Sequence, residues 1–411
     1  MKLSEGIFKP IKRTLPAFIA TALMMSASVM VHAGDREKAQ RLHERIAGVP
    51  PSASDLNYMA TQIGSDNADL AAARALEHKS FYNVTLKNFA APWTNEAMDN
   101  SVALNDYTAT VIGLVLEERD FRTVLYDDIV YVGAASLGLT PYSNSNNDHY
   151  EELEASDVNL KDFLVRTTQS SVNGLPSDAT AGIMTSRAGA QAYFSGGTNR
   201  AMFRFTMLHH LCNDMEQVND TTRPPDRIRQ DVSRSPGGDS KIFLNNCIGC
   251  HAGMDPMSQS FAYYDFEYDA ATDPNGLLGR MVYNTIGSVD AETGDRVQGK
   301  YRINATTFQH GYVTTNDQWD NYWREGQNSV LGWDSGLSGS GMGAKSMGQE
   351  LAHSEAFAQC QVKKVFENVC LRPPSDTDDR DKIALMVGSF KSSGYKLKQV
   401  FAESAIYCMG P

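Results

Sequence analysis

The 411-residue sequence predicts a mainly α-helical protein with long loops and little β-structure. Apolar residues recur at three-and-four spacing through much of the chain, which is the pattern of amphipathic helices. The segments between these helices are rich in Gly, Asn, Asp and Pro, which favour turns and loops. Only the region 290–300 has the composition of a β-hairpin. We therefore expect helical domains joined by extended loops.

Several segments carry the helical periodicity. They are residues 35–47, 54–63, 67–78, 106–118, 159–168, 182–194, 198–212, 348–370, 379–390 and 397–407. Three stretches lack it: the polar loop 137–151, the Pro-containing linker 219–238, and residues 255–345, where Gly, Asn, Asp and Tyr predict long loops.

Residues 1–33 have the pattern of a secretory signal peptide. A basic start precedes an uncharged, mostly apolar run, and small residues at Val31 and Ala33 precede a cleavage site before Gly34. The alternative is an uncleaved membrane anchor, for which the apolar run is short. We expect cleavage near Ala33/Gly34 and a mature protein that is periplasmic or secreted, without stable membrane insertion. In such a compartment cysteines can form disulfides.

The composition excludes other classes of protein. A hydrophobic share of 42% with 21% charged residues does not belong to a disordered chain. The 37 Lys and Arg residues against 49 Asp and Glu residues leave a net charge of -12. A general nucleic-acid binder needs a basic surface, so we expect no nucleic-acid partner.

One motif carries chemistry. Cys247-Ile248-Gly249-Cys250-His251 is CxxCH, the attachment site of c-type haem. Two thiols three residues apart on one helical turn can each add to a haem vinyl group, and the adjoining histidine donates a ring nitrogen to the iron. The alternatives are a redox dithiol or half of a zinc site, but a zinc site needs a second ligand pair and no second CxxC exists. We predict one covalently attached haem c, held by Cys247, Cys250 and the proximal ligand His251.

The distal iron ligand is a separate question. Met254 and Met257 follow His251 too closely, because the chain must pass around the ring to reach its other face. Met342 and Met347, in a Gly-rich loop, are the better candidates. Less favoured candidates are His310, Met281, His209 and His210. For the two histidines at 209 and 210, on an apolar helix, a buried hydrogen-bonded role is the more ordinary interpretation.

Four cysteines lie outside the motif: Cys212, Cys360, Cys370 and Cys408. If Cys360 and Cys370 share one unbroken helix, they are about 15 Å apart. A disulfide needs Cα atoms within about 7 Å, so this pair is disfavoured. We expect Cys408 to pair with one of them, which would tie down the C-terminal helix. Free buried thiols are the alternative.

The segment 247–269, CIGCHAGMDPMSQSFAYYDFEYD, resembles the haem segment of a group of uncharacterised exported cytochrome-domain proteins, in which CxxCH is followed by Met-Asp-Pro. Residues 351–370 and 390–408 resemble the helical domain that follows that segment, and 182–212 resemble the one that precedes it. The resemblance implies a mostly helical monohaem c-type cytochrome module. The chain departs from the pattern after Pro256, where Met257 replaces a typical Gly.

These observations predict a domain order around one cytochrome c-like haem module. The predicted units are a signal peptide (1–33), a helical N-terminal domain (34–218), a haem c-binding segment (236–345) and a C-terminal helical domain that packs on the haem segment (346–411).

The leading functional interpretation is an exported monohaem c-type cytochrome acting in electron transfer, with a redox partner whose basic patch would complement the acidic chain. One alternative is a haem-dependent oxidase or peroxidase-like enzyme with an open distal site, which the length favours because electron carriers are usually smaller. Another is an exported binding module with an accessory haem. Its groove would be lined by Tyr263, Tyr264, Tyr268, Trp319, Trp323 and Trp333. No motif of another catalytic class is present, and the sequence indicates no catalytic residue.

Overall fold

A computed structural model describes residues 34–232, 235, 239–306 and 308–410. The predicted signal peptide lies outside the described residues. About 53% of the structure is helical, and β-structure is limited to three two-stranded sheets in the described part of the chain. The prediction of a mainly α-helical protein with little β-structure is confirmed.

The helices and strands follow one another in this order. The α-helices are α1 (Asp35–Ala47), α2 (Ala53–Gly64), α3 (Ala68–Leu76), α4 (Lys87–Ala90), α5 (Asp106–Leu116), α6 (Asp148–Ala155), α7 (Leu160–Phe163), α8 (Gln169–Val172), α9 (Arg187–Tyr193), α10 (Arg200–Leu211), α11 (Ser240–Ile242), α12 (Ile248–Ser258), α13 (Gly343–Ala352), α14 (Glu355–Cys370), α15 (Thr377–Ser392) and α16 (Leu397–Cys408). The antiparallel pairs are β1 (Val130–Gly133) with β2 (Leu164–Thr167), β3 (Tyr264–Glu267) with β4 (Arg280–Tyr283), and β5 (Gln318–Asp320) with β6 (Ser340–Met342).

Two segments predicted as single helices are interrupted by a serine N-cap. In 182–194, Ser186 accepts a hydrogen bond from the Gly189 amide and starts α9 after a 3-10 turn. In 348–370, Ser354 accepts a hydrogen bond from the Phe357 amide and starts α14 after α13 has ended. A serine that satisfies a free amide at a helix start favours a new helix over continuation of the old one.

Two local predictions are wrong. Residues 159–168 form only one helical turn, α7, and then become β2, because pairing with β1 satisfies their backbone groups. The region 290–300 forms turns in place of a hairpin. Its Asp290 carboxylate accepts hydrogen bonds from the amides of Glu292 and Thr293, which is the geometry of an Asx turn.

Most buried apolar side chains of the described residues form one large cluster that runs from Ala39 to Ala405, and a second, small cluster contains Ala262, Tyr263, Val297 and Tyr301. Helices α14 and α16 pack together, and they also contact α1, α3 and α10 from the first half of the chain. Helix α13 packs against β5 and β6 and against the turn that follows α12. The same core therefore includes residues from all three units predicted for the mature chain.

Two disulfides support this arrangement. Cys370 pairs with Cys408 across a Cα–Cα distance of 5.4 Å, which confirms that Cys408 ties the last helix to α14. Cys360 shares the unbroken helix α14 with Cys370, which was the condition for excluding a bond between them. Cys360 pairs with Cys212 at the end of α10. Disulfides are typical of proteins that fold in an oxidising compartment.

None of the helices in the described part of the chain is both long and apolar enough to cross a membrane.

Candidate functional site

The CxxCH motif lies in a continuous helical run from 240 to 258. Asp239 caps its start by accepting a hydrogen bond from the Lys241 amide. A π-helical turn, Phe243–Cys247, joins α11 to α12 and ends at the first motif cysteine. Such turns occur frequently at functional sites. The helix therefore places the two thiols and the imidazole of the motif within about one turn, as predicted.

Two glycines let this helix pack closely against its neighbours. A Cβ atom at Gly253 would lie 2.1 Å from Nε1 of Trp323, and one at Gly249 would lie 1.9 Å from Oδ1 of Asn219. At either distance, an added side chain would force a neighbouring group to move. The buried Trp323 ring and the Asn219 side chain therefore pack closely against one face of α12.

His251 is oriented by a carboxylate from the same helix. Its Nδ1 lies 3.1 Å from Oδ1 of Asp255, four residues later and therefore on the same helical face. Burial of Asp255 opposes its ionisation, but the guanidinium of Arg200 and the imidazole of His251 together outweigh this effect and hold the pKa of the carboxyl well below its usual range. An ionised carboxylate only accepts hydrogen bonds, so Nδ1 is the donor and Nε2 is the nitrogen left for a ligand.

Asp255 is itself held from outside the motif. Arg200 donates from Nε to Oδ1 at 2.6 Å and from Nη2 to Oδ2 at 2.9 Å, which is a bidentate pair. The same guanidinium also binds the buried carboxylate of Asp231 at 2.8 and 2.9 Å. The backbone amide of Arg229 donates a further bond to Asp255 at 3.3 Å. The carboxylate beside His251 is therefore fixed by three segments of the chain.

A cleft of about 440 Å³ lies beside His251. The imidazole, whose side chain is 20% exposed, forms part of its wall together with Phe205 and Met254. Arg200 and Arg204 bring two guanidinium groups to the same cleft. The cleft thus combines one available imidazole nitrogen, apolar side chains and two guanidinium groups that are already paired with carboxylates. Its lining also includes Glu96, Asp214 and Glu216.

The two motif thiols are the free cysteines of the chain. The Cys250 Sγ donates to the backbone oxygen of Met215 at 3.3 Å, and burial raises the pKa of this thiol. A redox dithiol depends on a cysteine whose pKa is lowered. The motif also follows a helical run where a thioredoxin-like site would follow a strand. Both features argue against a redox dithiol of the thioredoxin type.

The residues around the motif fit the donor set of a haem c. The set consists of two free thiols on one helix and an imidazole with a defined tautomer. The partly apolar cleft beside His251 is lined by neither thiol. One turn before Cys247, the apolar side chains of Ile242 and Leu244 are 43% and 54% exposed. An apolar ring attached at Cys247 would give these side chains a surface to pack against.

The structure does not bring the favoured methionine candidates to this cleft. Met342 lies in β6 with its side chain 59% exposed, and Met347 is fully buried on α13. Neither belongs to the lining of the cleft beside His251. Of the less favoured candidates, His310 is exposed in a turn and Met281 is buried in β4.

His209 and His210 are buried on α10. The Nε2 atom of His210 lies 3.1 Å from the Tyr107 hydroxyl, and the ring of His209 stacks on Phe205 with 5.7 Å between ring centroids. Burial, with a smaller effect from Lys364, lowers the pKa of His209 to about 3. For His210 the structure agrees with the expected buried, hydrogen-bonded role.

Sequence reasoning missed three residues at this site. Asp255 could have been found from the sequence, since it lies four residues after His251 and belongs to the Met-Asp-Pro step that follows the motif. No sequence pattern indicates Arg200 or Met215, because only the fold brings these residues to the cleft. Met215 is of interest because it reaches the cleft from a segment other than α12, whereas Met254 lies on the same helix as His251.

The aromatic residues considered for a binding groove are largely internal. Trp319 and Trp323 are 2% and 0% exposed, and Tyr263 and Tyr264 are also buried. Trp323 packs directly on α12 beneath the motif. Within the described residues, no group of three or more His, Cys, Asp or Glu side chains is arranged to hold a metal ion.

Comparison with known proteins adds no relative: no family model matches the chain, and neither a curated protein nor a solved structure is significantly similar to it.

Proposed function

We propose that the chain is an exported monohaem c-type cytochrome that acts in electron transfer. The observation that carries this proposal is the division of the six cysteines. Four form disulfides, whereas Cys247 and Cys250 stay free beside an imidazole whose Nδ1 is already engaged. In an oxidising compartment, two neighbouring thiols that form no disulfide need another use.

Each residue then has a defined task. Cys247 and Cys250 would hold the porphyrin through thioether bonds, and His251 would present Nε2 to the iron. When bound, a haem c supplies one-electron redox chemistry. The signal-peptide pattern and the two disulfides support a periplasmic or secreted location.

The charge of the chain indicates what kind of redox partner it would bind. The chain has a net charge of -12, and Glu96, Asp214 and Glu216 line the cleft beside His251. A redox partner with a basic patch would be attracted to this side, and its association would weaken as salt is added.

A second candidate function is a haem-dependent oxidase or peroxidase-like enzyme with an open distal site. The position of Met342 and Met347 away from the cleft favours it, because the two preferred sulfur ligands are not in its lining. Binding of CO separates the two functions. Full-length protein matured in a host that attaches haem c should show a low-spin spectrum and slow CO binding if it is an electron carrier. Rapid CO binding with a high-spin ferric spectrum would support the enzyme, and protein without any covalent haem would overturn both.

A further inference from the structure

We propose that Asp255 is a positioning residue that fixes the orientation of His251 and strengthens its Nε2 as an iron ligand, so that the oxidised state of the site is favoured. This inference rests on the proposed function, because it concerns what His251 does as a ligand. It assigns a role to a residue that touches neither the porphyrin nor a redox partner.

The geometry supports an oriented imidazole. The Nδ1 to Oδ1 distance of 3.1 Å is a hydrogen bond, and the Asp255 side chain is 0% exposed. Both carboxylate oxygens are also bound by Arg200, at 2.6 and 2.9 Å. The carboxylate therefore cannot rotate away from His251 without breaking two charge-assisted bonds. Rotation of the ring away from Asp255 would in turn remove the partner of its Nδ1–H.

The expected electronic effect follows from the same bond. A carboxylate that accepts the Nδ1 proton raises the basicity of the opposite nitrogen. A more basic axial nitrogen stabilises the higher charge of the oxidised iron, and hydrogen bonding to an axial ligand is one of the means by which a protein sets a haem potential. Because Asp255 is buried, solvent screens its charge little.

The network offers a matched control. Asp231 is also buried, with its side chain 1% exposed, and binds the same guanidinium of Arg200 at 2.8 and 2.9 Å. It makes no recorded bond to His251. Asp231→Asn therefore removes the same charge from the same network and leaves the bond to His251 in place.

The test is a potentiometric titration of full-length, haem-loaded protein in three forms: wild type, Asp255→Asn and Asp231→Asn. Asp255→Asn should shift the reduction equilibrium at least tenfold toward the reduced state, which is about 59 mV for one electron. Asp231→Asn should shift it clearly less. Equal shifts in the two variants, or no shift in Asp255→Asn, would overturn the inference while the proposed function stands. Wild-type protein without covalent haem would overturn the proposed function itself.

A second measurement covers the case in which Asp255→Asn does not mature. The iron–histidine stretching frequency of the wild-type ferrous protein, recorded by resonance Raman after photolysis of CO, reports the donor strength of His251 directly. A frequency in the range of carboxylate-bonded histidine ligands supports the inference. A frequency typical of a histidine bonded to a neutral carbonyl contradicts it.

Discussion

At the scale of the residue, Met215 is a candidate for the second iron ligand of the proposed haem that the sequence did not indicate. It lines the cleft beside His251 and is 8% exposed, and it comes from the segment that follows the Cys212 disulfide. Met254 lines the same cleft but shares α12 with His251, so the sequence argument against Met254 as the distal ligand of the proposed haem still applies.

We expect Met215→Ala to abolish the weak long-wavelength sulfur-to-iron absorption band of the oxidised haem-loaded protein, because a ligand from this segment can approach the iron from outside α12. Met342→Ala is the control, since its side chain is exposed and outside the cleft. A band that survives in Met215→Ala and disappears in Met342→Ala would restore the sequence-based candidate.

A second prediction at this scale concerns pH. Burial lowers the pKa of His209 to about 3, whereas an unfolded histidine has a pKa of about 6.5. Between these values the unfolded state binds the extra proton, so this residue reduces stability as the pH falls through the window. From pH 7 to pH 5 the loss should be about 2 kcal/mol in the free energy of unfolding.

The measurement is urea unfolding at both pH values. His209→Phe, which preserves the stacking on Phe205, should lose clearly less stability than the wild type over this interval. His310→Gln, in an exposed turn, should behave as the wild type. A similar pH dependence in His209→Phe and the wild type would show that His209 does not carry this effect.

At the scale of the element, close packing positions the helices, and α12, which bears the motif, is the clearest case. Its Gly253 leaves no room for a Cβ atom against Trp323, whose side chain is fully buried. Gly388, in the interior of α15, has nothing within 4 Å of the same position and is exposed. The two helical glycines thus differ in packing and share a backbone conformation.

We expect Gly253→Ala to lower the free energy of unfolding by about 1–3 kcal/mol through overpacking. Gly388→Ala should raise it by about 0.5–1 kcal/mol, because alanine has the higher helix propensity. Urea unfolding of both variants measures the difference. A neutral or stabilising Gly253→Ala would mean that Trp323 does not fix the position of α12.

Local signals account for most of what the sequence predicted at these two scales. Helix α1 begins and ends where its periodicity placed it, and the ends of α5, α10 and α16 differ from prediction by at most two residues. Helix geometry excluded a Cys360–Cys370 pair, and the expected pairing of Cys408 with one of these two cysteines is confirmed, with Cys370 as its partner. What failed depended on partners distant in sequence. The pairing of β2 with β1 and the ion pair between Arg200 and Asp255 exist only once the chain has folded.

At the scale of the whole molecule, the question is what most of the 411 residues contribute to a site built on one short motif. One core cluster joins the helices before the motif to those after it, and the Cys212–Cys360 disulfide links the two sets covalently. The motif helix packs against α10, and α10 packs against α14. The long N-terminal part therefore contributes structure to the motif: α10 supplies Arg200, which fixes Asp255, and Phe205 and Arg204, which line the cleft.

The central claim is that Cys247 and Cys250 carry a covalent haem c. The most direct test is the intact mass of the exported full-length chain, produced in cells that mature c-type cytochromes and treated with a thiol label under denaturing conditions without reductant. A known c-type cytochrome from the same cells verifies that haem attachment works.

We predict that the wild-type chain carries the added mass of one haem and takes up no label, because its other four cysteines are in disulfides. The Cys247→Ala/Cys250→Ala chain should carry neither haem nor label. A wild-type chain that has no haem and takes up label at both motif thiols would contradict the account.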